Sequence, residues 1–71
     1  MVISVLSPDK EIFTGEIQSV KVPGITGQFE VLQNHAPIVS ALAEGSVRIR
    51  KASGEDLTFN INKGFIEVLS N

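Results

Sequence analysis

A single histidine, His35, is the first side chain that could do chemistry, and the chain has no cysteine. A zinc site would need further imidazole or carboxylate ligands, and none stands at a ligand-like spacing from His35. General-base catalysis would need a nucleophile and an orienting acid, yet Ser40 is merely the nearest hydroxyl downstream. We therefore predict no catalytic residue and no metal site. His35 is expected to hydrogen-bond the local backbone or a partner protein.

Lys63, between Asn62 and Gly64, supports a different hypothesis. The three residues are predicted to form the tip of a β-hairpin, and small all-β carrier domains attach biotin or lipoate to a lysine at such a tip. Those carriers surround the lysine with a Met, Asp or Ala signature, which is not found here. A solvated turn lysine is the commoner case. The biotinyl or lipoyl carrier is kept as an alternative function, and otherwise no cofactor is expected.

Three basic residues, Arg48, Arg50 and Lys51, lie close together near the middle of the chain. Arg48 and Arg50 share one face of a predicted strand, and such a stripe could attract phosphate. None of the six glycines is followed by Lys-Ser or Lys-Thr, so there is no nucleotide-binding loop of that type. The simpler interpretation is an outward face whose charges pair with carboxylates on neighbouring strands.

Composition narrows the possible classes of protein. The chain has 71 residues and a net charge of -2, with its charges scattered singly, so no basic face for nucleic acid is expected. The absence of cysteine removes disulfides and thiolate metal sites. No apolar run approaches the ~20 residues that cross a bilayer, and the start lacks the pattern of a signal peptide. These features predict a soluble, intracellular chain without direct membrane insertion.

Alternation of apolar and polar residues dominates the chain and predicts β-strands. Strands are expected at residues 2–6, 12–22, 29–32, 38–42, 47–50, 57–61 and 65–69. Within the second strand the apolar face switches between Ile17 and Val20, and Gly15 lies nearby, which predicts a β-bulge. Residues 38–42 are apolar except for Ser40 and are predicted to form a strand covered on both faces. No segment has helical spacing over three turns.

Turn signals separate these strands. Pro8 and Asp9 belong to the first turn, glycines 24 and 27 interrupt the middle of the chain, and Gln33-Asn34 is predicted to be a tight tip because Asn tolerates positive φ. Short strands at regular intervals are typical of a sandwich or a barrel. The prediction is an all-β fold, a small antiparallel β-sandwich of two packed sheets, with one domain over residues 1–71.

Three groups of residues resemble a known family. They are the opening at residues 5–8 and 12–15, the central Pro23–Phe29 and His35–Leu42, and the later 45–49 and 64–68. In this order and spacing they are similar to the N-terminal β-sandwich domain of the ATP synthase epsilon subunit, the small central-stalk subunit of F-type ATP synthases. The resemblance covers nearly the whole chain.

The resemblance implies a noncatalytic rotor subunit that helps couple proton translocation to ATP synthesis. It implies docking on the gamma subunit by a first docking set, consisting of Ser7, His35, Ser40 and Ala41. It also implies docking on the membrane c-ring by a second docking set, consisting of Thr26, Gly27, Gln28 and Glu30. The expected place is peripheral, on the cytoplasmic face of the bacterial inner membrane or on the stromal side of the thylakoid membrane.

The chain also departs from the family pattern. Gln28 stands where the family usually has an acidic residue and Glu30 where it has Gly, so the carboxylate has moved by two residues and stays on the same strand face. Gln33-Asn34 replaces the common Pro-Gly tip. The family's last strand and helical hairpin have no counterpart after residue 71, so no ATP-sensing role is assigned and an unpaired sheet edge is expected.

Overall fold

The computed structural model describes the backbone of residues 1–70 and the side chains of residues 1–69. This part of the chain is all-β, with no helix, and every strand pairing in it is antiparallel, as the sequence predicted. The strands are β1 (Val2–Leu6), β2 (Glu11–Gly24), β3 (Gly27–Val31), β4 (Ile38–Leu42), β5 (Gly45–Lys51), β6 (Asp56–Ile61) and β7 (Gly64–Ser70).

The long strand β2 belongs to both layers of the sandwich. Its first half pairs with β1, and its second half pairs with β3 and β5. Layer A is therefore β4–β7–β1 with the first half of β2, and layer B is β3, the second half of β2, β5 and β6. A register shift between Ile17 and Ser19 confirms the predicted bulge, which bends the strand from one layer into the other. Gly15 is paired regularly opposite Ile3 and takes no part in it.

The core lies between the two layers and is almost entirely aliphatic. Because successive side chains of a strand point to opposite faces, each alternating strand contributes one inward row. Phe29, Leu57 and Phe59 pack against the margin of this core. A close-packed interior of this kind resists deformation, so the surface side chains sit on a stiff frame. The largest fully buried side chains are Ile3, Val5, Ile17, Val20, Val22, Val31, Val47, Ile49, Ile66 and Val68.

The turn that holds Lys63 connects the two layers and is not a hairpin tip. β6 pairs with β5, whereas β7 pairs with β1 and β4, so the residues between β6 and β7 cross from layer B to layer A. The prediction of a hairpin tip at Lys63 is wrong, because the two flanking strands are not hydrogen-bonded to each other. The biotinyl or lipoyl carrier hypothesis required a lysine at a hairpin tip, and Lys63 does not lie at one.

The tip at Gln33-Asn34 also connects the layers, since β3 lies in layer B and β4 in layer A. Asn34 has φ of 68°, which confirms the expected positive φ at this turn. The amide of Gln33 donates to the carbonyl of Ile17 at 3.2 Å. This hydrogen bond joins the connection between β3 and β4 to the bulged segment of β2.

The final strand β7 lies inside its layer, between β1 and β4. The open edges within residues 1–70 are instead those of β3 and β6, while β4 meets β2 at a single register pair, Gly24 with Leu42. The expected unpaired edge therefore does not flank β7. A strand's place in the sheet depends on distant partners, and here the N-terminal strand β1 occupies one side of β7.

β4 is covered on one face only. Leu42 is buried, and Ile38 and Ser40 are half-buried on the inward side, whereas Val39 is 70% exposed and Ala41 is exposed on the other. The prediction that both faces are covered is therefore wrong for the isolated chain. An almost continuous apolar run indicates a strand buried on two sides, and here the chain supplies cover for one of them.

Candidate docking surfaces

An apolar patch lies on the outer face of layer A. Register places Ala41 opposite Phe65 and Phe65 opposite Leu6, so three neighbouring strands contribute one row. Phe65 and Leu69 are 39% and 49% exposed. Val39 and Leu69 line a shallow depression of about 270 Å³ at one end of the row. We call this surface the layer A patch; its members are Leu6, Val39, Ala41, Phe65 and Leu69.

The first docking set is divided by the fold. Ala41 lies in the layer A patch, and Ser7 follows Leu6 at its border. Ser40 points the other way, because it lies opposite the fully buried Ile66, and its hydroxyl donates to the carbonyl of Ala41 at 3.4 Å. Of the four residues, Ala41 lies in the layer A patch, while Ser7 lines the neighbouring concavity with residues of the turn after β6.

His35 lies in the connection between β3 and β4, at the end of β4 remote from Ser7. Its Nδ1 is 2.7 Å from the carbonyl oxygen of Ala36, and His35 has a further interaction. This contact confirms the predicted hydrogen bond to the local backbone. Across the described residues, no group of three or more His, Asp or Glu side chains is placed to hold a metal ion.

The second docking set forms one continuous exposed segment. Thr26 lies in the turn between β2 and β3, and Gly27 begins β3 opposite Gly24. Gln28 and Glu30 are exposed, and they share the outer face of layer B because they are two positions apart on one strand. The expectation that the displaced carboxylate stays on the same face is confirmed.

The outer face of layer B is polar and charged. Arg50 donates from Nε and Nη2 to the two carboxylate oxygens of Asp56 at 3.0 and 3.4 Å. This hydrogen bond lowers the pKa of Asp56, and it raises the pKa of Arg50. Lys51 pairs with Glu55 at 3.6 Å. The predicted pairing with a carboxylate on a neighbouring strand is confirmed for Arg50. Lys51 pairs instead with Glu55 in the loop that follows its own strand, and among the described residues Arg48 has no carboxylate oxygen within 4.0 Å of its side-chain nitrogens.

A shallow concavity of about 450 Å³ lies where the turn after β1 meets the turn after β6. The Ser7 hydroxyl accepts a hydrogen bond from the backbone N–H of Lys10 at 3.2 Å, which closes the first of these turns. The concavity brings Lys10 and Lys63 together with the Asp9 carboxylate. Sequence reasoning did not find this proximity, because the two turns are far apart in the chain.

Sequence reasoning also missed the exposed apolar side chains Val39 and Leu69 as candidate site residues. The available signal was the nearly continuous apolar run in β4, which predicted cover on both faces. The structure shows which face lacks that cover. In the part of the chain that the structure describes, no helix is long and apolar enough to cross a membrane.

A family model described as the ATP synthase delta/epsilon chain β-sandwich domain matches residues 1–71. Among curated proteins, the ATP synthase epsilon chain of Chlorobaculum tepidum is 44% identical over 69 residues, which cover 97% of this chain and 78% of that protein. The epsilon chain of Leptospira borgpetersenii is 47% identical over 70 residues. That match covers 97% of this chain and 54% of the relative, so the chain spans about half of the Leptospira protein's length.

Proposed function

The chain belongs to the ATP synthase delta/epsilon family through its β-sandwich domain, and on this premise we propose that it is a noncatalytic rotor subunit of an F-type ATP synthase. It docks on the gamma subunit through layer A and on the c-ring through the turn between β2 and β3. In this way it helps couple proton translocation to ATP synthesis. Its place is peripheral, on the cytoplasmic face of a bacterial inner membrane.

The observation that carries the proposal is the layer A patch. Val39 lies in an almost wholly apolar strand, a pattern typical of buried positions, yet 70% of its surface is exposed. Phe65 and Leu69 lie on the same face of β7, on either side of Glu67, which is the register partner of Val39. Exposed apolar side chains grouped on one face of a small domain are typical of a protein–protein contact. The gamma subunit is the partner that the family resemblance assigns to this region, through Ala41 and Ser7.

Two further features support a mechanical role. A sandwich with interlocked aliphatic rows transmits force with little deformation, because a close-packed core is barely compressible. The second docking set lies in a turn and at the start of β3, so its exposed polar groups can meet the polar loops of a neighbouring assembly. Glu30 supplies the one carboxylate of that set, and it projects from a strand rather than from a mobile tail.

The gamma contact is tested by copurification from membranes that contain the tagged chain and the gamma subunit. Val39→Asp replaces an exposed apolar side chain of the layer A patch by a second carboxylate beside Glu67, and we expect gamma to be lost from the eluate. Val39 is mostly exposed, so this change leaves the core intact. The control is Thr58→Asp, which adds the same charge on the exposed outer face of layer B.

Far-UV circular dichroism and a thermal melt verify that both variants are folded. Recovery of gamma with Thr58→Asp and its loss with Val39→Asp support docking through layer A. Full recovery of gamma with folded Val39→Asp would overturn this assignment.

The c-ring contact is tested by charge reversal at Glu30. In inverted membranes we expect Glu30→Lys to lower ATP-driven proton pumping while leaving ATP hydrolysis unchanged, because a contact at the ring affects coupling and not catalysis. Glu55→Lys is the control, since Glu55 is exposed in the loop between β5 and β6 and its one ion pair within the described residues is with the half-buried Lys51. Equal pumping in wild type and Glu30→Lys would contradict the assignment.

A further inference from the structure

Four strands of layer B contribute one residue each to a straight row on its outer face. Register places Glu30 opposite Lys21, Lys21 opposite Arg48, and Arg48 opposite Thr58. All four side chains are exposed. The fold therefore sets two cations, from β2 and β5, directly side by side.

The charge of this cation pair is only partly compensated: Glu30 lies opposite Lys21, and Glu30 and Asp56 line a neighbouring concavity with both cations. Among the described residues, neither Lys21 nor Arg48 has a carboxylate oxygen within 4.0 Å of its side-chain nitrogens. The neighbouring Arg50 differs, since Asp56 accepts two hydrogen bonds from it. Like charges directly opposite each other on adjacent strands are destabilising. A bound anion would remove this repulsion.

The surroundings of the pair suit an oxyanion. Lys21 and Arg48 line a concavity of about 210 Å³ together with Gln28, Ser46 and Thr58. Every one of these five side chains can donate a hydrogen bond, and none carries a negative charge. The concavity near Ser7 also holds two lysines, but Asp9 lines it and opposes an anion there.

We propose that the Lys21–Arg48 pair binds a phosphate group, in the form of inorganic phosphate or a small phosphate monoester. The planar guanidinium of Arg48 can hold two phosphate oxygens at once, while Lys21 acts as a point charge. The hydroxyls of Ser46 and Thr58 and the Gln28 amide reach the remaining oxygens. A membrane or nucleic acid would need a broad basic face, whereas this site is small and the chain as a whole carries a charge of -2.

The experiment is a titration of the ¹⁵N-labelled full chain with inorganic phosphate at pH 7, matched at each point by sodium chloride of equal ionic strength. We expect saturable shifts of the backbone amides of Ser46, Arg48 and Thr58 in the millimolar range. Lys21→Gln and Arg48→Gln should each weaken binding about fivefold, which is the factor for removing one charge at about 4 Å in an exposed site. Arg48→Lys should also weaken it, because the guanidinium fork is lost.

Lys63→Gln is the matched control, since it removes one exposed cation from the other concavity and should leave the phosphate affinity unchanged. Glu30→Gln should tighten binding, because it removes the carboxylate beside Lys21. Equal weakening by Lys63→Gln and Arg48→Gln would show general charge attraction and overturn the proposal. Binding to phosphatidylglycerol vesicles without saturable binding of inorganic phosphate would overturn it as well.

Discussion

The hydroxyl oxygens of Ser4 and Thr14 lie 2.6 Å apart across β1 and β2, on the outer face of layer A. Ser4 is only 7% exposed, whereas Thr14 is exposed. The two partners therefore differ in what they lose when the hydrogen bond is broken. Thr14 can turn to water, but Ser4 has little access to it.

We expect Thr14→Val to cost more stability than Ser4→Ala. The valine leaves a buried hydroxyl without its partner, at about 1–3 kcal/mol, while the alanine removes a hydrogen bond worth about 1 kcal/mol. Urea unfolding of both single variants and of the double variant measures the difference and the coupling energy. A larger cost for Ser4→Ala would contradict the assignment of Ser4 as the desolvated partner.

Gly64 begins β7 where the chain passes close to β1. A Cβ at this position would overlap the backbone carbonyl of Leu6, and backbone cannot rotate away as a side chain can. We expect Gly64→Ala to destabilise the fold by about 3 kcal/mol, near the upper end for overpacking. Gly15→Ala is the control in a urea titration, because its Cβ would meet only the Phe13 ring at 3.5 Å. Similar midpoints for the two variants would refute the close approach.

Asn34 has a left-handed backbone conformation, with φ of 68°. Asn34→Gly and Asn34→Ala both remove the amide side chain. The difference in stability between the two variants therefore measures the cost of a Cβ at this backbone conformation. We expect the alanine variant to be less stable than the glycine variant by about 1 kcal/mol, since a Cβ is disfavoured at positive φ. Equal thermal midpoints for the two variants would show that this turn does not hold positive φ in solution.

The hydrogen bond from Arg50 lowers the pKa of Asp56 in the folded chain. Because the folded value lies below the unfolded value of about 3.9, the pair stabilises the fold above that pH, and this stabilisation is lost as the pH falls through the folded value. We expect the carboxyl ¹³C titration midpoint of Asp56 to rise in Arg50→Gln. Lys63→Gln should leave it in place. An unchanged midpoint in Arg50→Gln would show that Arg50 does not lower the pKa of Asp56.

Local pattern accounts for much of the fold. In β5 and β6, Val47, Ile49 and Phe59 alternate with polar residues because each strand has one solvent-exposed face. That periodicity can be read from the sequence of each strand without knowing which strands pair with it. The bulge in β2 was visible for the same reason, as a switch of phase between Ile17 and Val20. The turn at Asn34 was visible in the residue type.

The alternation of side chains, the turns and the absence of cysteine were determined by the sequence alone, since each depends on neighbours within a few residues. The sequence also carries the family membership. Pairing was decided by the tertiary structure: β7 lies between β1 and β4, Lys63 lies between layers, and Val39 is left uncovered. Lys21 meets Arg48 for the same reason. Such contacts join strands that are far apart in the chain. They form only when the hydrophobic core packs and the strands pair in one register.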